Sequence, residues 1–203
     1  MEVKVNFQNS ILINGNIYID PLNISGECRA KYIFITHPHF DHFSINDIKK
    51  IATSETILIC PQSMEVEVKN NLKISTLFVD PDQKYDLDDF SFETFKSYNI
   101  DKKFHPKENK WIGYTLNIDN EKVTIVGDSD VTSELKNLKT DILLIPIGGH
   151  FTMDFNEAAL LTNYIHPKKV IPTHYGEIVG SKDMGQKFKK LINDDIVCEL
   201  HLG

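Results

Sequence analysis

Basic residues are in the minority in this 203-residue chain: 22 Lys and Arg stand against 29 Asp and Glu, a formal charge of −7. No Lys/Arg run is longer than two, so nothing in the sequence supplies a phosphate-tracking surface, and nucleic acid is a disfavoured partner. Cysteine is scarce. Cys28, Cys60 and Cys198 are odd in number, far apart and without a C-x-x-C pair, which argues against a disulfide framework and fits buried thiols in a reducing compartment. No apolar stretch approaches the ~20 residues that cross a bilayer, and Met1 to Asn6 lack the basic segment and apolar core of a secretory leader. Low-complexity tracts, Gly/Pro/Ser linkers and fixed-period repeats are absent as well. The expectation is one cytoplasmic domain spanning residues 1–203, without membrane insertion.

What is present reads as strands first and strand-helix units afterwards. The alternation of residues 3–7 and the apolar runs Ser10–Ile13 and Ile17–Ile19 around Asn14-Gly15-Asn16 predict strands joined by tight-turn chemistry. Residues 31–35 are almost continuously apolar, as in a strand covered on both faces. Residues 44–51 then read as a short helix behind a capping Ser44, and residues 56–60 as a strand. The acidic segment 80–89, with Pro81, reads as a solvated connection. Strands are predicted at 91–96, 113–118, 122–126, 141–147, 170–173 and 196–200, and helices at 156–165 and 181–192. Thr152 and Asp154 read as helix caps, and Trp111 and Tyr114 as core in preference to an apolar pocket wall. Two sheets with helices outside them would bury these runs and bring strand ends to one rim.

The rim is where the chemistry collects. His37-Pro38-His39-Phe40-Asp41-His42 places three imidazoles and a carboxylate in six residues after a strand, and a mixed His/Asp donor set suits a Lewis-acidic hydrolytic metal. Residues two apart share a strand face, so His37 and His39 can serve one ion while Asp41 and His42, beyond the turn, reach a second. His105, Asp128 and His174 also follow apolar runs. His105 has a competitor in His150, which follows Gly148-Gly149 and is a candidate for polarising substrate. His166 and His201 read as structural.

In this order, the H-x-H-x-D-H cluster, a third histidine, Gly127-Asp128-Ser129 and His174 resemble the metallo-β-lactamase superfamily. Tyr98-Asn99, Phe104-His105-Pro106-Lys107, Gly113-Tyr114, Pro146-Ile147, Thr152-Met153-Asp154 and Ile171-Pro172-Thr173-His174-Tyr175-Gly176 resemble its small lactonase-like and phospholipase-D-like branch. The resemblance implies an α/β four-layer αβ/βα sandwich. It implies that His37, His39 and His105 bind one divalent ion and Asp41, His42 and His174 a second, with Asp128 bridging. Zinc is the first expectation, with manganese, iron or nickel as alternatives. Asp41 either ligates or orients the water and accepts its proton.

The expected function is therefore a hydrolase in which an activated hydroxide attacks a small-molecule ester, lactone or phosphodiester. A di-iron redox protein is one alternative, disfavoured by His39 where such sites carry glutamate. A non-catalytic metal-binding module on the same scaffold is the other.

Overall fold

The computed structural model describes residues 1–25 and 29–202, so Cys28 lies outside the described residues. Six strands, β1 (Val3–Phe7), β2 (Ser10–Ile13), β3 (Ile17–Ile19), β4 (Tyr32–Phe34), β5 (Ile57–Pro61) and β6 (Ser75–Val79), form a first sheet in chain order. Its first three strands are antiparallel and the rest parallel. The second sheet runs in the reverse order: β7 (Lys84–Asp86), β8 (Ser91–Lys96), β9 (Ile112–Ile118) and β10 (Glu121–Ile125) are antiparallel neighbours, followed by parallel β11 (Ile142–Pro146), β12 (Lys169–Thr173) and β13 (Val197–Cys198). The helices are α1 (Ile45–Ile51), α2 (Glu65–Asn71), α3 (Ser133–Lys136), α4 (Phe155–Ile165) and α5 (Met184–Lys189).

Strand alternation produces the layers. In β4 and the residue that follows it, Tyr32 and Phe34 face the second sheet, while Ile33 and Ile35 pack with Ile48 of α1 and Val68 of α2. In β11, Ile142 and Leu144 join the same inter-sheet core, while Leu143 and Ile145 pack with Leu161 of α4 and Phe188 of α5. A strand buried on both faces needs apolar residues at successive positions, and these runs meet that need. The result is the expected α/β four-layer sandwich, helix–sheet–sheet–helix.

Three sequence expectations change. The connection at 80–89 contains β7, because Tyr85 stacks on Phe92 at 5.1 Å and anchors a short edge strand amid charged neighbours. Helix α2 and strand β6 had no clear signal: Val68 is the one buried residue of α2, and β6 lies at an edge with mostly partial burial. The helix read at 181–192 narrows to Met184–Lys189, and the strand read at 196–200 to Val197–Cys198. Cys60 is buried, its thiol pushed up to about 12 by burial, but Cys198 is only half-buried. Among the described residues, no helix is long and apolar enough to cross a membrane.

The parallel strands β3, β4 and β5 of one sheet and β10, β11 and β12 of the other end on one rim. Phe34 holds that rim together from below. It is fully buried and meets Phe92 and Tyr114 edge-on at 5.3 and 5.1 Å. Phe34→Ala is expected to cost about 3–5 kcal/mol, read from the urea midpoint; a cost under about 1 kcal/mol would contradict packing of the sheets through this ring.

Candidate metal centre

The candidate ligands lie on segments that follow strands. His37 follows β4 by three residues. Asp128 follows β10 through Gly127, whose φ of +68° turns the chain and whose Cα lies so close to Thr36 that an added Cβ would meet that side chain at 3.3 Å. His174 follows β12 directly and adopts φ 58°, a backbone conformation uncommon for a non-glycine residue. Its main-chain N–H donates to Gln8 O at 2.9 Å, binding the turn between β1 and β2 to the far sheet. His105 comes from the loop after β8, held by Asn99, whose Oδ1 accepts the His105 main-chain N–H at 3.1 Å and lies 3.0 Å from its Nδ1.

The structure brings seven candidates together. Donor atoms of His37, His39 and His105 lie within 4.8 Å of one another, as do those of Asp41, His42 and His174, and those of His37, His42 and Asp128. His37 Nε2 and His39 Nδ1 are 3.1 Å apart, near the ~3.3 Å between two nitrogens bound about 2.0–2.1 Å from a tetrahedral ion. Asp128 sits between the groups: one oxygen is 3.3 Å from His105 Nε2 and 3.1 Å from His174 Nε2, the other 3.4 Å from His42 Nε2. Asp41 Oδ2 lies 3.4 Å from His174 Nε2 and 3.7 Å from His42 Nε2. His42 Nε2, His105 Nε2, His174 Nε2 and Asp128 Oδ1 are buried without a hydrogen-bond partner. Buried polar atoms are rarely left so, and converging lone pairs of this kind fit divalent cations. His150 is not among the converging donors: exposed, with φ 45°, it contacts the rings of Phe104 and Phe151.

Electrostatics divide the site. Burial and charge on His42 hold His37 well below the ordinary imidazole value, and burial with His105 lowers His39. Burial also opposes charge on His42, but Asp128 and Asp20 outweigh it and raise His42 well above that value. His174 is raised to about 9 against its own burial, chiefly by Asp128. The carboxyls respond in kind. Burial would raise Asp128, yet His174 and His42 hold it well below the usual range, and Asp41 is lowered by the same two imidazoles against its burial.

Sequence reasoning missed one side chain and ranked another second. Asp20 is fully buried at the end of β3 and accepts from Asn9 Nδ2 at 2.8 Å, Thr36 N at 2.8 Å and Thr36 Oγ1 at 2.7 Å, with His42 Nδ1 2.7 Å away. It orients the His42 ring. An acidic residue directly after an apolar strand, the signal that found Asp128, was there to be read. Trp111 is not core: it is half-buried, and its ring lies 5.1, 4.9 and 5.5 Å from those of His37, His39 and His105. Tyr114 is core, donating to Ile35 O at 2.6 Å.

With this geometry in place, comparison with known proteins is informative. Residues 8–174 match the β-lactamase superfamily domain. A UPF0173 protein of Pyrococcus abyssi is 30% identical over 178 residues, covering 85% of this chain and 80% of its own, and a UPF0173 metal-dependent hydrolase of Thermococcus onnurineus is 30% identical over 175, covering 83% and 77%. Igni18, a metallo hydrolase from Ignicoccus hospitalis, has the same fold with a TM-score of 0.77 at 18% identity, covering 98% of this chain and 93% of its own. The chain belongs to the metallo-β-lactamase superfamily and, within it, to the UPF0173 metal-dependent hydrolases.

Two outcomes follow from the electrostatics. Because raised pKa values keep protons on His42 and His174, metal uptake near pH 7 is expected to release about one proton or more per molecule, measured by titration calorimetry in buffers of differing ionisation enthalpy. Asp20→Asn, which keeps the shape but loses the carboxylate behind His42, is expected to weaken metal binding about 10–100-fold in competition with a chromophoric chelator. Unchanged affinity would remove Asp20 from the site.

Proposed function

We propose that this metal-dependent hydrolase is dinuclear, with His37, His39 and His105 at one ion, Asp41, His42 and His174 at the other, and Asp128 between them. One observation carries the reading: two groups of donor atoms, each within 4.8 Å, flank a buried carboxylate within reach of both. Zinc is the proposed occupant, as imidazole-rich donors suit it, with manganese, iron and nickel accepted by the same set. Divalent cations there supply Lewis acidity, lowering the pKa of water to about 7 and drawing charge from a substrate oxygen.

The chain's own groups do the rest. Asp41, held ionised by His174 and His42, accepts a proton from the attacking water. Trp111 covers the His37/His39/His105 side and limits bulk water. His150, on an exposed turn, hydrogen-bonds the substrate or its leaving group. The substrates are small-molecule esters, lactones or phosphodiesters, whose hydrolysis shares an oxyanion that the site stabilises.

The test pairs metal analysis with turnover of an ester and lactone panel and of bis-p-nitrophenyl phosphate, in zinc, manganese and iron. Two ions per chain are expected, and His37→Ala and Asp128→Ala are each expected to lower kcat/KM at least about 100-fold. Asp41→Asn is expected to lower kcat about 10²–10⁴-fold; retention of both ions identifies the carboxylate as the base, and loss of one ion identifies it as a ligand. Failure of every substrate with every metal would end the hydrolytic reading.

A further inference from the structure

The loops around the metal centre carry exposed aromatic side chains. Phe40, between His39 and Asp41 in the ligand cluster, is 74% exposed. Phe104, adjacent to His105, is 40% exposed, and its ring lies 4.6 Å from Phe151, edge to face, and 5.4 Å from His150, which itself meets Phe151 at 4.4 Å. Single exposed apolar residues are ordinary on a protein surface. The Phe104, Phe151 and His150 rings form a contiguous cluster beside a buried polar centre, the kind of surface that takes a ligand.

Two features fix that cluster to the site. The Asn99 side chain accepts from His105 through Oδ1 and donates through Nδ2 to Phe151 O at 2.9 Å, so one amide spaces the Phe104/Phe151 pair from a candidate ligand. On the other flank, Gly148 is pressed against His174, where an added Cβ would stand 2.2 Å from His174 O. The turn bearing His150 and Phe151 is thus seated against His174 and tied to His105. Two cations of the neighbouring loop are otherwise engaged, Lys102 with Asp130 and Lys107 3.2 Å from Glu134 and 2.9 Å from Tyr98 Oη, while Lys103 and Lys110 are exposed.

We infer that the site takes neutral esters or lactones with an aromatic or bulky apolar acyl group, which lies on Phe104 and Phe151 while the carbonyl faces the metal centre. This rests on the hydrolytic reading above and selects among its substrates. The oxygen of water bonds to the acyl carbon, the acyl C–O bond breaks, and the leaving oxygen takes the proton that water gives up, so an ester yields a carboxylic acid and an alcohol and a lactone a single hydroxy acid. An apolar face adds nothing for the second oxyanion of a phosphodiester, whereas burial of one phenyl ring discriminates by one to two orders of magnitude.

The experiment uses two probes that separate recognition from catalysis. In the zinc-loaded protein, phenylacetate and acetate are titrated against fluorescence of Trp111, the one tryptophan of the chain, and p-nitrophenyl phenylacetate and p-nitrophenyl acetate are compared as substrates. Phenylacetate is expected to bind at least about tenfold more tightly and its ester to show a kcat/KM higher by a similar factor. Phe104→Ala and Phe151→Ala are each expected to bring both ratios to within about threefold of unity, while Leu160→Ala, an exposed apolar side chain on α4, retains them. Equal affinity for the two acids in the wild-type protein overturns the inference. A binding preference lost in both phenylalanine variants, with neither ester turned over, supports the aromatic wall and removes these esters from the hydrolytic reading instead.

Discussion

The arrangement rests on a carboxylate that cannot stand alone. Asp128 is buried between two sheets, and an ionised group in that position requires compensation. His42, His105 and His174 surround it within 3.4 Å. Asp20 repeats the logic behind His42, with four donors around its two oxygens. Three of the histidine rings, those of His42, His105 and His37, also have an acid, amide or hydroxyl behind them, whereas His174 Nδ1 is buried without a partner. Asn99 does this for His105 and Thr36 Oγ1, 3.0 Å from Nδ1, for His37. Fixed rings are what a metal centre requires, since ligand geometry sets both affinity and openness.

The sheets exist to deliver these groups. Parallel strands end together, and here two half-parallel sheets face each other so that both sets of ends reach one rim. Below it, Phe34, Phe92 and Tyr114 interlock, and Tyr114 reaches up to the main chain at Ile35, two residues before His37. Packing and placement are one structure at this point.

How far this was legible in the sequence depended on whether a residue's role was local. The runs at β4, β11 and β12 and the six-residue cluster announced themselves, because burial on both faces and ligand density leave marks within a few positions. The capping box of Asp154 and Glu157 at α4 was half visible, with Asp154 read as a cap. Helix α2 and strand β7 were hidden because each is held by a single apolar side chain, Val68 and Tyr85, too little to form a period. Trp111 was misjudged because proximity to a hairpin says nothing about which face a ring takes. His150 illustrates the limit from the other side: sequence left it in competition with His105, and only the shared amide of Asn99, joining His105 to Phe151, shows how both occupy the same neighbourhood with different surroundings.

The bond from His174 to the main chain at Gln8 has a consequence for how the protein matures. It joins a turn near the first strand to a residue near the last, so the donor constellation is incomplete until nearly the whole polypeptide has emerged and its two ends have met. Contacts of such long sequence separation form late, after the entropy of closing the intervening chain has been overcome. Truncated or half-folded chains therefore present the His37–His42 cluster without its counterparts, as a weak and open chelator. The full-strength centre belongs to the finished fold alone.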